Sequence, residues 1–197
     1  MMLLSGLCHA QKRSPLEIPA PQVKFYKIDS AAGGSTAMQT LLAPYKAGTD
    51  TLMKVGVARI GGVLTKAQPE STMGNLVADA QLAAAQKIDP KVVAAVSNYG
   101  GLRLQIIIAG PVQRETLYEL MPFENTVCIV EMPGSVVQQY CNTMARRRGW
   151  PVAGIRYTIE DTLATNIEID GEPLNPVLVY KLALNDYNAK GGEAATS

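Results

Sequence analysis

The chain predicts an α+β fold, a single domain with a mixed β-sheet and two main helices. Three observations carry this. Two long segments place apolar residues at helical spacing, several short β-branched or alternating runs read as strands, and the two kinds mix without a regular βαβ rhythm.

Residues 1–10 read as the remnant of a secretion signal. Met1-Met2-Leu3-Leu4 is apolar, and Cys8-His9-Ala10 before Gln11 offers the small residues a signal peptidase checks. A lipoprotein site at Cys8 fits less well, because Leu7 is bulky for one. Residues 11–40, rich in Pro, Ser, Ala and Gly, form a leader or linker with one candidate strand at Val23–Ile28. The folded domain is expected over residues 41–197. Thr51–Ile60 is strand-like in its mixture of apolar and polar residues.

A helix is expected from Ser71, its N-cap, to Lys87, with Met73, Leu76, Val77, Ala80, Ala83 and Ala84 on one face. Val92–Val96 is a β-branched strand ending in the loop Ser97-Asn98-Tyr99-Gly100-Gly101. Glu115–Leu120 makes one or two helical turns before Pro122, and Thr126–Met132 reads as a strand turned by Pro133-Gly134. Ser135–Arg148 is the second long helix, where the closing Arg146-Arg147-Arg148 suits the negative end of the helix dipole. Ile155–Ile159, Asn166–Asp170 and Val177–Leu184 complete the strands, with Asp170-Gly171 as a hairpin turn.

Composition excludes several classes of function. A net charge of +1, from 18 basic and 17 acidic residues, supplies no field for nucleic acid or an anionic membrane surface. No segment reaches the ~20 apolar residues that would span a bilayer. With Cys8 set aside, Cys128 and Cys141 could pair in an oxidising compartment or serve as small buried hydrophobes.

Hydrolytic chemistry is also poorly provided for. A two-metal phosphoesterase gathers several His, Asp, Glu or Cys ligands, yet the chain has one His, at position 9. Ser-His-Asp and Cys-His catalysis fail on the same ground. Gly61-Gly62 lacks the Gly-Lys-Ser/Thr of a P-loop.

Three loops nevertheless carry groups suited to a planar polar ligand. Asn98-Tyr99-Gly100-Gly101-Leu102-Arg103 combines a two-way hydrogen-bonding amide, glycines that admit close approach, and a planar cation. Pro122-Phe123-Glu124-Asn125 puts one of two Phe at a loop tip, and Asn185-Asp186-Tyr187 leads into Gly191-Gly192-Glu193. Taken singly, each has an ordinary structural reading as a turn, core anchor or cap.

Together, in order and spacing, these segments resemble the C-terminal, substrate-binding domain of the bacterial 5′-nucleotidase and UDP-sugar hydrolase family. Glu70-Ser71-Thr72-Met73-Gly74-Asn75-Leu76 with Asp79 is similar to that domain's opening helix, and the likeness covers about residues 40 to 193. The resemblance implies a nucleoside pocket. Phe123 and Tyr187 would sandwich the base, Asn98 and Asn125 would bond it, Gly100 and Gly101 would let backbone approach, and Arg103 would steady the sugar and phosphate. Glu193 would take the ribose hydroxyls, where the family usually has Asp. An Arg that the family often places before the helix is replaced by Gln68-Pro69, with Lys66 the nearest cation.

In that family a separate N-terminal metallophosphoesterase domain holds two metals and cuts the phosphate. The implied function is therefore the nucleoside- or nucleotide-binding half of a 5′-nucleotidase-type hydrolase in nucleotide catabolism. It would be periplasmic or secreted and would work with a separately encoded metallophosphoesterase. The domain would not be catalytic alone and would bind no metal or other cofactor, the divalent metals belonging to the partner. The alternative is a stand-alone periplasmic nucleotide-binding protein without hydrolysis.

Overall fold

In the computed structural model the described residues are 23–26 and 34–192. The expected signal remnant, most of the leader and Glu193 lie outside them. The chain divides into two units, Met1–Ala43 and Pro44–Ser197. In the first, residues 23–26 form no strand, correcting that expectation over the described part of Val23–Ile28.

The next element is a third long helix, α1 (Thr36–Met53), which the sequence reading divided between the linker, the unassigned start of the folded domain and a strand-like stretch. It buries no residue and contains Pro44, so neither a buried stripe nor an unbroken run of helix formers marks it. Local bonds support it: Thr49 and Thr51 hydroxyls donate to the carbonyls of Tyr45 and Ala47, and Lys54 pairs with Asp50 at 2.9 Å. The strand-like stretch begins only at β1 (Gly56–Ile60).

From there the expected order holds. β2 (Leu64–Thr65) precedes α2 (Thr72–Gln86), whose N-cap is Ser71, its Oγ accepting the Gly74 N–H at 3.0 Å. After β3 (Val92–Val96) come β4 (Ile106–Ile107), β5 (Gly110–Gln113), α3 (Arg114–Leu120) and β6 (Val127–Pro133). Next are α4 (Gly134–Arg146), β7 (Val152–Ala153), β8 (Ile155–Glu160), β9 (Leu163–Ile169) and β10 (Glu172–Pro173). β11 (Val179–Asn185) and α5 (Asp186–Ala189) are the last elements among the described residues. Asp170 and Gly171 take φ of 54° and 82°, the left-handed pair that a two-residue hairpin turn between β9 and β10 requires.

The central sheet runs β6-β11-β3-β7 and is mixed, with β11 parallel to β3 and antiparallel to β6. Apolar material covers both faces. On one, Val137, Cys141 and Met144 of α4 meet Ala94, Val96, Leu182 and Leu184. On the other, Ala78 and Ala85 of α2 meet Val92, Ala95, Ala153 and Ala183, small residues that let the helix approach closely. A pairing irregularity between Lys181 and Leu182 sends Val92 and Ala94 into different cores. A third cluster, Met73, Leu102, Ile107, Val112 and Leu120, underlies the start of α2.

Polar stitching reinforces the centre. Gln81 of α2 is 8% exposed; its amide donates to the Val96 and Ala183 carbonyls at 3.1 and 2.8 Å and accepts the Ser97 hydroxyl at 2.6 Å. Cys128 and Cys141 are free thiols. Cys141 is the buried hydrophobe, and burial pushes its thiol up to about 12.

Lys181 bonds Asp89 at 2.7 Å and lies 3.4 Å from Glu131. The hydrogen bond from Lys181 holds the Asp89 carboxyl below its ordinary value, and the same bond holds Lys181 above its own. Because the folded carboxyl value is depressed, the pair's contribution is present above the ordinary Asp value near ~3.9 and is lost as pH falls through the folded one. The lysine's part is present below ~10.4 and is lost as pH rises through its raised value. Melting curves of Asp89→Asn should therefore show a shallower decline than wild type below about pH 4. Parallel declines would refute the linkage.

Candidate functional site

Strand direction decides where the three candidate loops emerge. Leu184 pairs with Val96 in the parallel pair, and Asn185 pairs with Val127 in the antiparallel one. The ends of β3 and β11 and the start of β6 therefore lie at one end of the sheet. Loops 97–103, 121–126 and 186–192 all leave from there, the position where strand ends offer a ligand a rigid base.

Hydrogen bonds tie the loops together in pairs. The Arg103 N–H donates to the Leu120 carbonyl at 2.8 Å, joining the first loop to the approach of the second. Thr126 and Asp186 exchange two bonds, Asp186 N–H to the Thr126 carbonyl at 2.9 Å and Thr126 N–H to Asp186 Oδ1 at 3.2 Å. Asn185 Nδ2 donates to Asn98 Oδ1 at 3.2 Å, joining the third loop to the first. Lys190, 2.9 Å from Asp186, holds that carboxyl below the ordinary carboxylate range and keeps it an acceptor.

The side chains differ in their situation. Asn98 is buried at 6% exposure, and Gly100 and Gly101 form a 3₁₀ turn after it. The Arg103 guanidinium carbon stands 5.8 Å from the Phe123 ring centroid, and its Nη1 lies 3.5 Å from the Gly100 carbonyl. Phe123 and Tyr187 are 48% and 46% exposed, large rings left half in solvent at the same end of the sheet. Asn125 is exposed beside Phe123. Glu193 lies outside the described residues.

Two participants had no assigned role in the sequence reading, which named Lys66 only as the nearest cation to a missing arginine. Lys66 reaches the first loop, its ammonium donating to the Leu102 carbonyl at 2.6 Å and lying 4.1 Å from the Tyr99 ring centroid. Asn185 was read only as part of a motif, yet it is the buried link to Asn98. Its position between a strand and a short helix was the available signal, since Asn is a strong N-cap.

Phe123, Asn125 and Tyr187 are thus exposed at this end of the sheet. A cleft of about 490 Å³ does exist beside α2, bounded by Glu70, Ser71, Asn75, Asp79, Trp150 and Tyr157 among others, and none of the candidate loop residues lines it. Among the described residues no three His, Cys, Asp or Glu side chains gather as a metal site. No helix among the described residues is long and apolar enough to cross a membrane.

The chain is similar to known proteins in sequence and in fold. The chain is 30% identical over 170 residues to the 5'-nucleotidase of Vibrio parahaemolyticus, covering 80% of this chain and 29% of that protein. It is 26% identical over 166 residues to Protein UshA of Escherichia coli, covering 79% and 29%. The match therefore spans about 29% of those relatives' length. The crystal structure of a 5'-nucleotidase precursor from Thermus thermophilus superposes with a TM-score of 0.68 at 26% identity, over 81% of this chain and 35% of that one. Residues 51–196 match the family described as 5'-nucleotidase, C-terminal domain, and the chain belongs to that family.

Proposed function

We propose that this domain binds the nucleoside part of a nucleotide and presents its phosphate to a separately encoded metallophosphoesterase, in nucleotide catabolism outside the cytoplasm. One observation supports the reading: the three loops at one end of the sheet carry two half-exposed aromatic rings, one of them 5.8 Å from the Arg103 guanidinium carbon, and a buried asparagine bonded to Asn185. Stacking binds any planar base, the amide reads its edge, and the guanidinium offers a planar fork to anionic oxygen. The half-exposure of both rings supports a half-pocket that another module completes. Relatives named 5'-nucleotidase support the ligand class.

Calorimetric titration of the purified chain with AMP, adenosine and UDP-glucose tests the reading. Saturable binding of at least one is the expected result, with no phosphate released when divalent metal is added. Binding of none would refute the pocket. Metal-dependent phosphate release that follows the protein peak through repurification would refute the division of labour.

A further inference from the structure

The smaller sheet runs β10-β9-β8, and among the described residues no strand pairs with the other edge of β8. Glu160 and Leu163 close the turn Asp161-Thr162 as a hydrogen-bonded pair. Ile159 therefore belongs to the alternate set, whose N–H and C=O face away from β9. A bare edge of this kind is a template for another strand, and most proteins cover it with a helix or loop. Here the neighbouring helix leaves a gap. The cleft of about 490 Å³ is lined by Ile155, Tyr157 and Ile159 of β8 and by Asn75 and Asp79 of α2, with Glu70 just before that helix.

The charge of the cleft is one-sided. Asn75 and Asp79, four residues apart, share one face of α2, and Glu70 Oε1 accepts a hydrogen bond from Asn75 Nδ2 at 2.8 Å beside them. Arg156, the one cation among the described lining residues, already donates from Nε to Glu168 of β9 at 3.0 Å. Two carboxylates are left along an unpaired strand edge. Phe123, Asn125 and Tyr187 do not line the cleft, so nucleoside binding leaves it free.

We propose that the cleft between β8 and α2 is a docking site for an extended, basic segment of another polypeptide. That segment adds to the free edge of β8 as a further strand and sets Lys or Arg side chains against Glu70 and Asp79. Main-chain hydrogen bonds to β8 supply affinity, and the acidic wall selects cationic side chains. At about 3.3 Å per residue, the 6 residues of β8 offer roughly 20 Å of edge.

Fluorescence anisotropy of a labelled hexapeptide, Val-Lys-Val-Lys-Val-Lys, titrated with the purified chain at low salt, tests the docking site. Saturable binding is expected, weakening as salt is raised, with Val-Glu-Val-Glu-Val-Glu bound about tenfold more weakly. Glu70→Gln combined with Asp79→Asn changes two exposed positions outside the core. It should weaken the lysine peptide about threefold to tenfold and narrow the gap between the two peptides. N-methylation separates strand pairing from plain capture of a cation, because a ladder uses only one edge of the peptide. Methyl groups on the alternate residues facing β8 should abolish binding, whereas methyl groups on the other set should be tolerated. Phe123→Ala should bind the lysine peptide as wild type does. No binding, equal affinity for the two peptides, or equal effects of the two methylation patterns would overturn the docking site. Loss of peptide binding in Phe123→Ala would overturn it as well, by placing the peptide on the candidate nucleoside loops.

Discussion

Phe123→Ala and Tyr187→Ala should each weaken nucleotide binding about tenfold to a hundredfold while leaving the melting temperature close to wild type. Each base–aromatic stack contributes on the order of 1–3 kcal/mol, which is that range of affinity. The rings are 48% and 46% exposed, so truncation removes little packing from the fold, and such surface changes usually stay within about 0.5 kcal/mol of stability. Phe123→Ala should cost somewhat more than stacking alone, because it also frees the Arg103 guanidinium that now rests 5.8 Å from the ring. The double variant should lose less than the sum, since two groups holding one ligand are coupled. Affinity and melting temperature measured on the same variants decide the matter. A lowered melting temperature with unchanged affinity in the folded fraction would make the rings core anchors and remove them from the pocket.

Leu182→Ala should destabilise the domain by about 2–5 kcal/mol, the usual cost of emptying a closed apolar site. Leu182 is fully buried in β11, paired on one side with Val130 of β6 and on the other with Ala94 of β3, in the main cluster with Val137, Cys141 and Met144. Against a total of about 5–15 kcal/mol this is a large share. Val179→Ala in the same strand, at 60% exposure, should change stability by no more than about 0.5 kcal/mol. Urea unfolding of the two variants provides the comparison, and a loss below about 1 kcal/mol in Leu182→Ala would contradict the packing described.

What could be read from the sequence was whatever leaves a local trace. α2 and α4 carry a buried face against a wet one, Ser71 caps the first of them, and Asp170-Gly171 demands the left-handed turn it makes. α1 left no such trace because it buries nothing. The parallel pairing of β3 with β11 was equally hidden, since its partners are far apart in the chain and meet only through the fold. The same holds within the site. The loop residues were recognisable as a set, whereas the Asn185 link to Asn98 and the Lys66 contact with Tyr99 depend on which strand ends become neighbours. Gln81 was unremarkable as one polar residue in a helix, and only the sheet beneath it supplies the two carbonyls it bonds.

The central position of β11 also has a kinetic consequence. Protected on both edges and on both faces, its amides and those of β3 should exchange with solvent deuterium only in rare, near-global openings. Loop 186–192 hangs from β11 and loop 121–126 leads into the neighbouring β6, and both lie largely at the surface, so most of their amides should exchange through small local fluctuations. The ligand-facing surface would therefore sit on a steep gradient of local opening free energy, with mobile tips mounted on the slowest-opening part of the molecule. A bound nucleotide would slow exchange at the tips and leave the strands, already closed, almost unchanged.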